Sequence, residues 1–259
     1  MATLKNTTIN DTGFLTLPSG TTAQRPVSPV AGMMRYNSTT NLLEHYSGSM
    51  WQNLAGIGNV AAPSNLTLYL DAGILTSYNG TSYTWSDLSG NNNTFIIDNT
   101  PNFTFDITNQ CFNMTGNGGI SYSGAVTTSA DATCVFVIKT TDTQSLFWMG
   151  DTGTAGSYYL GAYRVGNTYY NDRVTVNGLY MNTTLIPNLY NYIRTGNWLM
   201  LEFKGCNFST YTWPMFKFNK YDTFVFDNGS IAAILIYNKT LSASESTQNY
   251  NYFGGRYGF

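Results

Sequence analysis

Apolar runs of four to eight residues, each closed off by Gly, Asn or Ser, recur along most of this chain. Runs of that length are strand-sized, and almost nowhere does an apolar stripe persist at helical spacing. Strands are predicted at 66–70, 94–97, 111–114, 133–139, 145–149, 158–163, 173–176, 198–203, 215–218 and 230–237. Between them stand Asn79-Gly80, Ser89-Gly90-Asn91, Gly116-Asn117-Gly118-Gly119, Asn177-Gly178 and Asn228-Gly229, where Gly and Asn tolerate the positive φ of tight turns. Short strands at such regular spacing predict an all-β fold, a sandwich or jelly roll.

One stretch breaks the pattern. In Leu241-Ser242-Ala243-Ser244-Glu245 the Ser242 hydroxyl can accept from the Glu245 amide while the Glu245 carboxylate reaches back. That capping box predicts a short helix ending near Gly254. Residues 55–65, with small side chains, one Pro and no periodicity, read as a linker. The predicted organisation is therefore an arm and β-meander over 1–60, then a larger domain over 61–259.

Charge excludes some functions. Lys and Arg number 12 against 14 acids, for a net charge of −2. No basic patch large enough to hold nucleic acid can be assembled from that balance. The first residues lack the apolar core of a secretion signal, and no 18-residue uncharged apolar run occurs, so membrane insertion is not expected. Cys111, Cys134 and Cys206 are too few and too scattered for a disulfide framework or a metal knuckle, and read as buried thiols.

Residues 17–54 pose a separate problem. Three prolines, Pro18, Pro26 and Pro29, precede short alternating runs around Met34 and Tyr36, then Leu42, Glu44 and Tyr46, then Met50, Gln52 and Leu54. Three strands this short cannot bury a core, since fewer than about 40 residues rarely fold alone without disulfides or metal. The prolines predict an extended approach suited to wrapping a neighbour. The apolar positions Met34, Tyr36, Leu42, Tyr46, Trp51 and Leu54 are the candidates for contact with another copy, the larger domain or another particle component.

The same stretch resembles a segment found in virion structural proteins of tailed phages and other large DNA viruses, often in tail fibres and appendages. The matching positions are Pro18, Gly20, Thr21, Gln24, Arg25, Pro26, Gly32, Met34, Arg35, Tyr36, Asn37, Glu44, Tyr46, Gly48 and Trp51. Residues 66–73, 84–94 and 230–259 look like the opening, second and closing elements of a laminin-G-like, concanavalin A-like jelly roll, which closes on a strand followed by a short helix. These resemblances imply a virion location, on the particle surface or tail. They also imply a homotrimer assembled through the N-terminal residues, attachment to other virion proteins, and a head that contacts the host surface.

Enzymatic chemistry finds little support. Concanavalin A-like hydrolases use two carboxylates on one strand, one as acid and one as nucleophile. Here Glu44, Glu202 and Glu245 are the only glutamates, and none has that arrangement. Glu202 has Lys204 as its i, i+2 neighbour instead. The lone His45 lies in the meander without a triad around it. No enzyme is expected, and glycan depolymerase is the disfavoured alternative. Glycan binding is the other functional reading. Tyr158, Tyr159, Tyr163, Tyr169 and Tyr170 with Asn171 and Asp172, and Trp213 further on, supply aromatic faces and hydrogen-bonding groups for host saccharide. No cofactor is expected, calcium being the one ion that such sandwiches often hold. Asp71, Asp87 and Asp151 are the acids placed to meet it, with Asp87 reading first as a turn acceptor.

Overall fold

The computed structural model describes residues 15–39, 42–53, 60–98, 100–116, 119–122, 126, 129–141, 145–150, 158–163, 169–170, 176–187, 195–209, 216–218 and 226–259. The chain divides into two compact units, Met1–Gly56 and Ile57–Phe259.

The first unit is a small sheet of β1 (Ser19–Gly20), β2 (Met34–Asn37), β3 (Leu42–Tyr46) and β4 (Trp51–Asn53), in that spatial order. The last three form the expected antiparallel meander. The proline-bearing approach differs from the sequence expectation. It does not run away extended but folds back beside β2 as a parallel strand, pairing Ser19 with Tyr36 and Gly20 with Asn37. A 3-10 turn at Thr22–Gln24, where the Thr21 N–H donates to Gln24 Oε1 at 2.9 Å, makes the reversal possible.

The second unit is an all-β sandwich with one helix. Its strands are β5 (Leu66–Asp71), β6 (Thr84–Trp85), β7 (Phe95–Asp98), β8 (Phe103–Asp106), β9 (Cys111–Gly116), β10 (Gly119–Tyr122), β11 (Ala132–Thr140), β12 (Ser145–Gly150), β13 (Tyr158–Tyr163), β14 (Tyr169–Tyr170), β15 (Gly178–Met181), β16 (Thr184–Leu185), β17 (Trp198–Cys206), β18 (Phe216–Phe218) and β19 (Phe226–Tyr237). One sheet runs β14-β13-β12-β18-β10-β7-β6 and the other β16-β15-β17-β11-β19-β9-β8, with β5 also paired to β19. Side chains from both sheets meet in one core. Trp85 of one packs on Phe112 of the other with ring centroids 4.7 Å apart. Tyr78 and Phe103 also close on Phe112, at 4.6 Å each.

Helix α1 (Ala243–Tyr257) begins at the capping box, Ser242 N–H donating to Glu245 Oε2 at 2.8 Å. It runs past Gly254 to a left-handed cap at Gly258, with φ of 80°. Gly254 lies within the helix, and its missing Cβ leaves room for the Phe259 carbonyl, which that atom would meet at 2.7 Å. The helix covers the outer face of the larger sheet, so β17 is buried on both sides along most of its length. This explains why β11 and β17 read as continuous apolar runs rather than alternating ones.

Several sequence expectations are corrected here. Asn228-Gly229 does not turn the chain but lies within β19, where the register against β9 shifts between Phe226 and Gly229 as at a bulge. Gly178 starts β15 instead of turning the chain, because it pairs with Lys204 across to β17. The turn lies further on, at Asn182 and Thr183, whose φ values of 47° and 67° fit a two-residue type I′ hairpin joining β15 to β16. Of the strand expected at 173–176, residues 173–175 lie outside the described residues and Val176 is not in a strand. At the expected linker, Val60 and Ala61 are fully buried in the sandwich unit, with the Ala61 N–H donating to Asn249 Oδ1 at 2.7 Å.

Candidate functional site

In the first unit, strand register decides which side chains share a face. Arg35 stands opposite Glu44, Asn37 opposite Leu42, and Tyr46 opposite Trp51. These positions form one face. Met34 lies opposite His45 and Tyr36 opposite Leu43, on the other face. Of the candidate contact positions, Met34 and Tyr36 lie on one side and Tyr46 and Trp51 on the other, while Leu42 is placed in register opposite Asn37. Leu54 lies outside the described residues.

The face carrying Glu44 is covered by the folded-back approach and is charged. Arg25 donates to Glu44 through Nε at 3.2 Å and Nη2 at 2.6 Å, and Asn37 Nδ2 donates to the same carboxylate at 3.0 Å. Arg35 Nε lies 3.4 Å from Glu44, and its Nη2 donates to the Thr21 carbonyl at 3.0 Å. Trp51 stands 6.0 Å from each guanidinium, in cation–π range. Burial by itself would raise the Glu44 pKa. Hydrogen bonds from Arg25 and Asn37 and the charges of both arginines outweigh it and hold the carboxyl below its usual value. Gly20 belongs to this arrangement, since a Cβ there would lie 2.7 Å from Arg35 Nη2.

The opposite face carries exposed apolar side chains beside His45. Met34 is 44% exposed, Tyr36 37% and Leu43 43%. His45, half-buried, has no hydrogen-bond partner for its Nδ1 among the described residues.

In the sandwich, the tyrosine-rich segments come together as neighbouring strands. β13 pairs with β14, Gly161 opposite Tyr170 and Ala162 opposite Tyr169, at the end of their sheet. Tyr158, Tyr159, Tyr163, Tyr169 and Tyr170 are therefore placed on adjacent strands, while Asn171, Asp172 and Trp213 lie outside the described residues.

A concave site that sequence reasoning missed lies elsewhere, where β15 and β17 meet the start of α1. It is a cleft of about 440 Å³ whose walls include Asn177, Tyr180, Thr183, Lys204, Ser246 and Thr247. Lys204 is almost wholly buried and donates to the Leu241 carbonyl at 3.2 Å and the Ser246 hydroxyl at 2.6 Å. Its Nζ lies 4.5 Å from the centre of the Tyr180 ring and 3.9 Å from Glu202. Burial raises the Glu202 pKa against the opposing pull of Lys204 and Ser246. The available sequence signal was the Glu202 and Lys204 pair inside the otherwise apolar run of β17. Charges on the outer side of such a strand imply partners above it, and α1 supplies them.

Asp71 and Asp87 are both committed to contacts within the fold. Asp71 takes a bidentate contact from Arg256, 2.7 Å to each oxygen, and accepts from the Tyr69 hydroxyl at 2.9 Å. Asp87 accepts from the amides of Tyr69 and Ser89 and from the Asn93 side chain. Asp151 lies outside the described residues. Among the described residues no three His, Cys, Asp or Glu side chains gather as metal ligands would. The described thiols Cys111, Cys134 and Cys206 are buried and unpaired.

Neither a family model nor a curated protein sequence matches this chain. Among solved structures it is similar to a Trypanosoma rangeli sialidase in complex with the inhibitor DANA, at 12% identity and a TM-score of 0.44, over 71% of this chain and 32% of that one. It is also similar to the binding domain of botulinum neurotoxin DC in complex with rat synaptotagmin II, at 14% identity and a TM-score of 0.44, over 73% and 52%. A botulinum neurotoxin serotype D/C binding domain gives 14% identity and a TM-score of 0.45, over 73% and 52%. The chain spans about a third of the sialidase and half of each toxin domain.

Proposed function

We propose that this chain is a structural virion protein, a tail fibre, head fibre or surface appendage. Its N-terminal unit serves for attachment and self-association, and its sandwich head meets the host surface. The observation that carries this reading is the asymmetry of the N-terminal sheet. One face is closed by its own ionic cluster, and the other leaves Met34, Tyr36 and Leu43 exposed. A sheet this small gains most from pairing that open face with copies of itself, and a closed ring of copies would satisfy it. A homotrimer is the expected assembly, in keeping with the resemblance of residues 17–51 to virion appendage proteins. Immunogold labelling of purified particles with antibodies to the sandwich head tests the location: gold on the tail or surface supports it, and unlabelled particles overturn it.

A second reading makes the head a dedicated glycan-binding module. It is favoured by the cleft beside α1, whose volume suits a small ligand and whose walls combine a ring with amide and hydroxyl groups.

A further inference from the structure

We infer that the cleft between β15, β17 and the start of α1 binds a neutral saccharide, seated against Tyr180 and hydrogen-bonded by Asn177. This deepens the glycan-binding reading and rests on it.

Two glycines shape the cleft around these two side chains. A Cβ on Gly178 would meet the Tyr180 ring at 2.7 Å, so the ring can lie along the strand only because that residue is Gly. A Cβ on Gly205 would meet Asn177 Nδ2 at 2.4 Å and its Cβ at 2.8 Å, and Gly205 itself has φ of +65°. The ring and the amide, two residue types suited to sugar C–H faces and hydroxyls, are thus both set in place by backbone next to them. Asn177 is exposed, and its side-chain amide has no hydrogen-bond partner among the described residues. Thr247 donates to the Ala243 carbonyl at 2.9 Å, which leaves its oxygen available as an acceptor.

Charge selects the ligand class. Lys204 is the one cation in the described lining, and it is already held by Leu241, Ser246 and the nearby Glu202. An anionic sugar would find no uncommitted positive charge, and its own desolvation would be unmatched. A neutral sugar has no charge to desolvate, and the hydroxyls it buries meet a rim of donors and acceptors beside the Tyr180 ring. The volume of about 440 Å³ has room for one or two hexose units.

The test uses the full chain. Saturation-transfer NMR is recorded with methyl glycosides of glucose, galactose, mannose and N-acetylglucosamine, and with 3′-sialyllactose as the acidic comparison. The best neutral ligand is then titrated against Asn177→Ala, Tyr180→Ala and Thr247→Arg, the last placing a bulky group on an exposed helix position at the rim. At least one neutral glycoside is expected to bind more tightly than sialyllactose. Its affinity should fall tenfold or more in all three variants, with melting temperature unchanged in Thr247→Arg. Neutral-sugar binding that survives all three variants overturns this site while leaving the glycan reading intact. Binding of sialyllactose alone overturns the charge argument, and no transfer to any sugar overturns both the site and the glycan reading.

Discussion

Arg25 meets Glu44 side-on, with Nε at 3.2 Å and Nη2 at 2.6 Å from the two carboxylate oxygens, in a unit where no apolar side chain is buried among the described residues. The pair makes the N-terminal sheet an ionic fold. Glu44 is fully buried, and Arg35, Asn37 and Trp51 are arranged around it. Replacing Glu44 with Gln leaves two guanidiniums facing a neutral group, a loss of about 3 kcal/mol for the unit. Amide hydrogen exchange over residues 19–53 should accelerate accordingly, while exchange in β11 and β17 stays unchanged.

Acid should act on the same group. The Glu44 pKa is lower in the folded unit than in the unfolded chain, so its contribution is fully present above the unfolded value and is lost as pH falls through the folded one. The N-terminal unit is expected to open first as pH drops below the ordinary carboxylate range. Exchange measured along a descending pH series checks the order of opening.

Arg256 ties the end of α1 to the first strand of the sandwich through Asp71. Arg256→Met keeps much of the side-chain bulk but leaves the buried carboxylate without its cation. The expected cost is about 3 kcal/mol, or roughly 6 to 12 °C of melting temperature, read by calorimetry.

The Cys111 thiol is pushed up to about 12 by burial, with the Asp106 carboxylate adding to the shift. At pH 8 it should react with a disulfide reagent at least roughly a hundredfold slower than an exposed cysteine. Denaturant should restore the ordinary rate. Fast labelling of the native protein at Cys111 would contradict the burial described.

Gly205→Ala forces a left-handed φ on a residue with a Cβ and drives that atom into Asn177. A loss of about 1 to 2 kcal/mol is expected from the backbone alone. Denaturant titration measures it.

Much of the sandwich was legible because its strands are bounded by Gly and Asn turns, and the helix because Ser242 and Glu245 form a local capping box. Strands of two residues, such as β6 and β14, carry no period to read and depend on their neighbours. The N-terminal unit was legible as a meander but not in its faces. Alternation along each strand groups side chains locally, whereas the register that sets Arg35 against Glu44 and Tyr36 against Leu43 is fixed by turns and by the charge cluster. Many positions that carry the virion resemblance, among them Gly20, Thr21, Gln24, Arg25, Arg35, Asn37, Glu44 and Trp51, turn out to build that cluster. The cleft was illegible because Asn177, Lys204 and Ser246 are far apart in sequence and join only when α1 lies over β17.

Light scattering after size exclusion, on the full chain and on a Met34→Ser, Leu43→Ser double variant, tests the central claim most directly. Both substitutions fall on the open face and leave the Arg25–Glu44 cluster untouched. The wild-type chain is expected at three times its 28.6 kDa mass and the variant at one, with the same circular dichroism. A wild-type chain that runs as a monomer, or a variant that keeps the wild-type mass, would contradict the assignment of that face to self-association.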